Sequence, residues 1–141
     1  MEIVIGVSGA TGTVYAVRLL EMVQDMSDVH THLIISNWAR VNLEIETRYT
    51  VDYLESLATH VYDNRNMGAH VASGSFLNDG MVILPCSMKT LGAIANGTAD
   101  SLIARAADVM LKEGRKLVIC PRETPLNAIH GMTQIMRRQG V

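Results

Sequence analysis

Arg122 and Glu123 close the apolar run Val118-Ile119-Cys120-Pro121 and stand directly before Thr124-Pro125. A charged pair at the carboxyl end of a buried strand lies where open parallel sheets place their ligands. Three other apolar runs end in a similar way. Ile3–Val7 leads into Ser8-Gly9-Ala10-Thr11-Gly12, and Thr31–Ile35 into Ser36-Asn37. Met81–Leu84 leads into Pro85-Cys86-Ser87-Met88-Lys89-Thr90. Four strand tips made of glycine, hydroxyl and charge describe one site for an anionic ligand.

Each tip has its own chemistry and its own plainer use. Glycines in the Ser8–Gly12 turn let backbone approach a ligand, and the helix start behind them offers free N–H groups to an anion. The turn lacks the full Gly-x-Gly-x-x-Gly of dinucleotide sites and the Gly-Lys-Ser/Thr of a P-loop. Ser36-Asn37 replaces the acid that would hold an NAD ribose. The ligand indicated is a mononucleotide or another small phosphate; the plainer use is a tight strand-to-helix turn. Ser87 and Thr90 serve equally to cap the next helix or to donate to a phosphate.

Arg105, Asp108 and Lys112 recur at helical spacing, so Arg105 and Lys112 share a side. A solvated salt-bridge face is the default for such a set. Their neighbours Ala106, Ala107, Val109, Met110 and Leu111 are apolar, which favours a pocket or a subunit junction. Glu44 and Glu46 are indistinguishable by spacing alone. His30, His32, His60, His70 and His130 show no metal-ligand spacing and read as structural or surface groups. The nine methionines read as core filler. No Gly-x-Ser-x-Gly elbow is present.

The elements that must position these groups alternate. Strands are expected at Ile3–Ser8, Thr31–Ser36, Met81–Leu84 and Lys116–Cys120. Helices are expected at Thr13–Met22, Trp38–Glu46, Val51–Ala58, Leu91–Ala95, Leu102–Glu113 and Pro125–Arg138, with Gly114 as a helix stop. Thr59–Asn78 reads as an irregular excursion. Apolar strands alternating with helices indicate a three-layer α/β domain with a parallel sheet, Rossmann-like or flavodoxin-like.

At 141 residues the chain is read as one domain, 1–141. Its net charge of −2 and lack of a basic run argue against nucleic acid. No stretch approaches the roughly 18 apolar residues of a membrane span, and the amino terminus has no basic leader. Cys86 and Cys120 read as free thiols of a reducing cytoplasm. A content of 48% apolar but only 4% aromatic residues suggests burial between subunits, hence a homo-oligomer.

Together the motifs resemble the flavin prenyltransferase family of the UbiX type, including its aromatic-acid decarboxylase small-subunit branch. The resemblance rests on Gly9–Gly12, Ser36 with Trp38-Ala39, Glu46-Thr47, Ala72–Ser75, Pro85–Leu91, Arg105–Val109 with Leu111–Glu113, and Pro121–Leu126. It implies transfer of a dimethylallyl group from dimethylallyl monophosphate to reduced FMN, giving prenylated FMN for a partner decarboxylase. By resemblance Gly9, Ala10, Thr11, Ser36, Ser87, Met88, Lys89, Thr90 and Arg122 hold FMN. Glu46, Arg105, Lys112, Arg122 and Glu123 then line the prenyl phosphate and the reacting ring. Cations stabilise departing phosphate, and Glu123 or Glu46 moves the proton. Trp38 is a candidate shield for the allyl cation, and the scheme requires no metal. Family members carry a further C-terminal strand and helix, with a Tyr loop and an Arg that reach the prenyl phosphate. Arg137, Arg138, Tyr15, Tyr49, Tyr53 and Tyr62 do not match them by motif. The chain as written is therefore expected to hold FMN but transfer the prenyl group poorly. The alternatives are a non-catalytic FMN-binding accessory subunit of a decarboxylase, or a redox FMN-dependent cysteine decarboxylase.

Overall fold

Unbroken apolar runs bury both faces of a strand, and the runs at 3–7 and 31–35 do so here, while the run at 81–84 buries Met81 and Ile83 and leaves Val82 and Leu84 partly exposed. The computed structural model describes residues 1–130. Its elements are β1 (Glu2–Val7), α1 (Val14–Val23), β2 (His30–Ile35), α2 (Asn37–Glu46), α3 (Val51–Ser56) and β3 (His60–Asp63). A 3-10 turn (His70–Ala72), β4 (Gly80–Cys86), α4 (Met88–Ala95), α5 (Leu102–Lys112) and β5 (Leu117–Pro121) follow. All strand pairs are parallel, in the order β3-β2-β1-β4-β5. That is the order of doubly wound nucleotide-binding sheets.

The period-2 alternation of a strand divides the core in two. Val4, Ile34, Met81 and Ile83 pack with α4 and α5. Ile5, Val7, Leu33 and Ile35 pack with α1, α2 and α3. The three-layer α/β architecture expected from the sequence is the one observed. Serine or threonine caps begin four helices: Ser36, Thr50, Ser87 and Ser101 each accept an N–H from the first turn. Gly114 ends α5 with φ +65°, a conformation glycine adopts freely.

Three expectations need correction. The stretch 59–78 is not wholly irregular, because it contains β3. Only Tyr62 of its four residues is even partly buried, so β3 is a short polar edge strand with no apolar run to betray it. Residues 125–130 are not helical. There the Asn127 side-chain Oδ1 accepts the Ile129 N–H at 2.9 Å, and His130 Nδ1 accepts the Asn127 N–H at 3.1 Å. Such local side-chain bonds compete with a helix for the same amides. The rest of that expected helix, with Arg137 and Arg138, lies outside the described residues. Methionine is also not uniformly core filler: Met81 and Met110 are buried, whereas Met22, Met26 and Met67 are exposed.

At the amino ends of the strands, buried His32 ties three of them together. Its Nε2 lies 2.6 Å from the Glu2 carboxylate and its Nδ1 3.0 Å from the Tyr62 hydroxyl. His60 stacks on its ring at 4.8 Å and Phe76 meets it edge-on at 4.9 Å. The hydrogen bond from His32 holds the Glu2 carboxyl below its usual value of 4.5. A depressed carboxyl pKa contributes stability that is fully present above the unfolded value and is lost as pH falls through the folded one. Glu2→Gln is thus expected to melt below the wild type at neutral pH, with the gap closing as pH falls below 4.5. Thermal melts across that range check it, and a gap independent of pH would contradict the assignment.

Candidate functional site

The tips of β1 and β4 are fastened by one buried hydroxyl. Ser8 is 1% exposed. Its N–H and its Oγ–H both donate to the Pro85 carbonyl at 3.1 Å, and its Oγ accepts the Ser87 N–H at 2.7 Å. β1 and β4 are the neighbours between which the sheet reverses its winding, where open α/β sheets form a ligand crevice. Gly9 follows immediately. A Cβ there would stand 2.5 Å from the Trp38 Cβ, so only glycine lets this loop lie against the first turn of α2.

A cavity of about 330 Å³ opens over these tips, within the usual size of small-ligand sites, about 300–1,000 Å³. Gly9, Ser36, Ser87, Lys89 and Thr90 line it, together with Trp38, Asn64, Arg65, Asp100 and Ser101. Three helices begin at its walls, yet they are not equivalent. Every amide of the first turn of α5 has an acceptor. Leu102 N–H donates to the Asn64 backbone carbonyl, Ile103 N–H to the Asn64 side chain, Ala104 N–H to Ser101 Oγ, and Arg105 N–H to the Ser101 carbonyl. In α2 and α4 the serine caps serve only Ala39 and Thr90. Among the described residues Asn37, Trp38, Met88 and Lys89 keep N–H groups without an acceptor. Open helix starts favour an anion; Lys89 adds positive charge, Arg65 adds a guanidinium paired on one edge with Asp63, and Asp100 is the carboxylate of the lining.

Five residues expected at the site are therefore gathered in one cavity: Gly9, Ser36, Ser87, Lys89 and Thr90. Ala10 is buried in the same loop. Met88 packs its side chain against the core, leaving its amide as its contribution. Thr11 sits with Glu46 in a separate depression of about 480 Å³, beside Tyr15, Arg48 and Tyr49. There the Glu46 carboxylate accepts the Gly12 N–H at 3.0 Å. Arg105 donates through Nε to the Ala72 carbonyl at 3.1 Å and pairs with Asp108 at 2.7 Å. Lys112 pairs with Glu113 close above Gly74. Arg122 and Glu123 are exposed just beyond β5, where the Arg122 N–H donates to the Cys86 carbonyl at 3.0 Å. Among the described residues, Glu46, Arg105, Lys112 and Glu123 are not part of the lining of this cavity.

Asn64, Arg65, Asp100 and Ser101 were not legible as site residues. The first pair follows the overlooked strand β3. Ser101 could have been found as a capping residue before the apolar start of α5. Side-chain and backbone hydrogen bonds from Arg65 hold the Asp63 carboxyl down at about 2. Burial, reinforced by nearby Cys120, pushes the Cys86 thiol up to about 12, which leaves it no thiolate for nucleophilic work at neutral pH.

Comparison with known proteins places this geometry in a family. A profile described as Flavoprotein matches residues 1–137. Flavin prenyltransferase LpdB of Lactiplantibacillus plantarum is 59% identical over 129 residues, which cover 92% of this chain and 69% of that protein. The crystal structure of a dodecameric FMN-dependent UbiX-like decarboxylase from Escherichia coli O157:H7 superposes with a TM-score of 0.96. It is 47% identical over 100% of this chain and 77% of that one. The structure of AnUbiX (PadA1) in complex with FMN and dimethylallyl pyrophosphate gives 0.93 at 46% identity, over 96% of this chain and 73% of that one.

The Ser8 fastening has a direct test. Ser8→Ala removes the acceptor of the Ser87 amide and leaves that N–H without its partner. A loss of about 1–3 kcal/mol is expected, read from urea unfolding. A loss near zero would mean that the backbone bonds alone hold the two tips.

Proposed function

The chain belongs to the flavoprotein family, in its UbiX-like flavin prenyltransferase branch, and on that footing we propose that it joins a dimethylallyl group from dimethylallyl monophosphate to reduced FMN. It is a transferase and FMN is its flavin. The observation that carries the reading is the cavity at the switch point. Open amides at the starts of α2 and α4, with Lys89 beside them, suit the phosphate of a flavin mononucleotide. The cofactor supplies the nucleophilic ring when bound. The chain's own groups hold it, orient it and handle charge and protons.

Gly9, Ser36, Ser87 and Thr90 would hold the phosphate and ribityl end, with Ala10, Thr11, the Met88 amide and Arg122 around them. Arg105, Lys112 and Arg122 would bear the charge of the departing phosphate. Glu123 or Glu46 would move the proton. These groups lie on different elements and outside the lining of the cavity, which supports a homo-oligomer whose junctions bring them together. The exposed apolar side chains Trp38, Ile45 and Leu77 suit such junctions. We further place the product, prenylated FMN, with a partner decarboxylase in the cytoplasm. Two unpaired cysteines suit a reducing compartment, and no helix among the described residues is long and apolar enough to cross a membrane.

Product analysis tests the reading: purified protein, reduced FMN and dimethylallyl monophosphate should yield prenylated flavin, and its absence would overturn the proposed reaction. Gly9→Leu should abolish FMN retention, because the side chain strikes Trp38 and blocks the backbone approach. Full FMN occupancy in a folded Gly9→Leu protein would move the site elsewhere. Glu123→Gln keeps the shape and removes the ionisable group. It should leave FMN affinity within a few-fold and slow turnover by about 10²–10⁴. An unchanged rate would remove Glu123 from the chemistry.

A further inference from the structure

Asn64 and Arg65 leave β3 side by side, and both line the cavity. Asn64 turns inward and closes the start of α5 with its carbonyl and its side chain. Arg65 turns outward and is clamped by Asp63. Its Nε lies 3.1 Å from Asp63 Oδ1 and its Nη2 2.7 Å from Oδ2, while its own N–H donates to Oδ1 at 2.8 Å. An exposed arginine ordinarily samples many rotamers. Here the clamp occupies one edge of the guanidinium. Among the described residues Nη1 has no acceptor, and the side chain lines the cavity, as Lys89 does. Because Asp63 stays ionised down to about pH 2, the clamp persists through the neutral range.

The open edge of the guanidinium gives this arrangement a purpose. The cavity lining carries two cations, Arg65 and Lys89, and one carboxylate, Asp100, while the Asp63 carboxylate pairs with the other edge of Arg65. A phosphate monoester brings about two negative charges at neutral pH, and Lys89 and the unpaired Nη1 of Arg65 are the cationic donors of the lining. A planar fork with an open edge matches phosphate oxygens. Asp100 can accept from hydroxyl groups on the same ligand.

We propose that Arg65 is the specificity-determining residue that makes this cavity prefer a flavin with a terminal phosphate over the same flavin without one. The proposal rests on the FMN reading above and adds to it the residue that enforces the choice. The pre-set orientation lowers the ordering cost of the contact, as preorganisation generally does.

The test is equilibrium titration of the full chain with FMN and with riboflavin, at low and moderate salt. The wild type should prefer FMN, and the preference should shrink as salt rises. Arg65→Ala should weaken FMN by about 10- to 100-fold and leave riboflavin within about threefold, since the neutral flavin makes no use of the charge. Arg65→Lys should recover part of the preference, because charge returns without the fork. Equal losses for both flavins in Arg65→Ala would overturn the proposal by showing a merely structural role. Unchanged FMN affinity would overturn it as well. Wild-type protein that binds neither flavin would overturn the FMN reading itself, and this inference with it.

Discussion

A single buried hydroxyl group decides where this protein can hold a ligand. The Ser8 hydroxyl accepts the Ser87 N–H and donates a hydrogen bond to the Pro85 carbonyl, so the loops after β1 and β4 cannot separate without stranding polar groups in the interior. Neighbouring features inherit their position from that contact. Gly9 is delivered against α2, and Ser87 is placed to cap α4. The carbonyl of Cys86 is left to catch the backbone beyond β5. Parallel strands tie the sheet along its length, but they do not fix the spacing of the loops that leave it. Ser8 does so at the point where the winding reverses.

From that fixed spacing follows a division of labour among helix starts. Two open starts face the cavity and one is closed from within by Asn64 and Ser101. A third open start would add positive potential beside Asp100. Of the groups that resemblance associates with the reaction, Glu46, Arg105 and Lys112 lie on α2 and α5, and Arg122 and Glu123 lie just beyond β5.

Much of this could be read before any coordinates were known, for definite reasons. Buried parallel strands must be runs of Val, Ile and Leu, so β1, β2 and β4 announced themselves; β5 carries a similar run, although its residues are only partly buried or exposed. Their loops were visible because glycine and serine interrupt those runs abruptly. β3 was not visible, since an edge strand that exposes His60, Val61 and Asp63 needs no apolar run. With it went Asn64 and Arg65, two residues of the cavity wall. The turn at 125–130 was also missed, because Asn127 spends its side chain on a local bond that a pattern of apolar residues does not record. Glu46 was placed by resemblance alone. Its bond to Gly12 joins residues 34 positions apart, and no spacing rule reaches that far.

Trp38 is the chain's one tryptophan, and it stands on the cavity wall, 72% exposed. Its near-ultraviolet emission therefore comes from a single place and needs no assignment among competing indoles. A flavin ring absorbs where indole emits, so occupancy would be read as quenching of an intrinsic lamp, without label or engineered probe. The same indole touches the Gly9 loop, and parting of the two on denaturation would shift its colour. One residue thus lets loading of the pocket and integrity of the β1 tip be followed in the same cuvette.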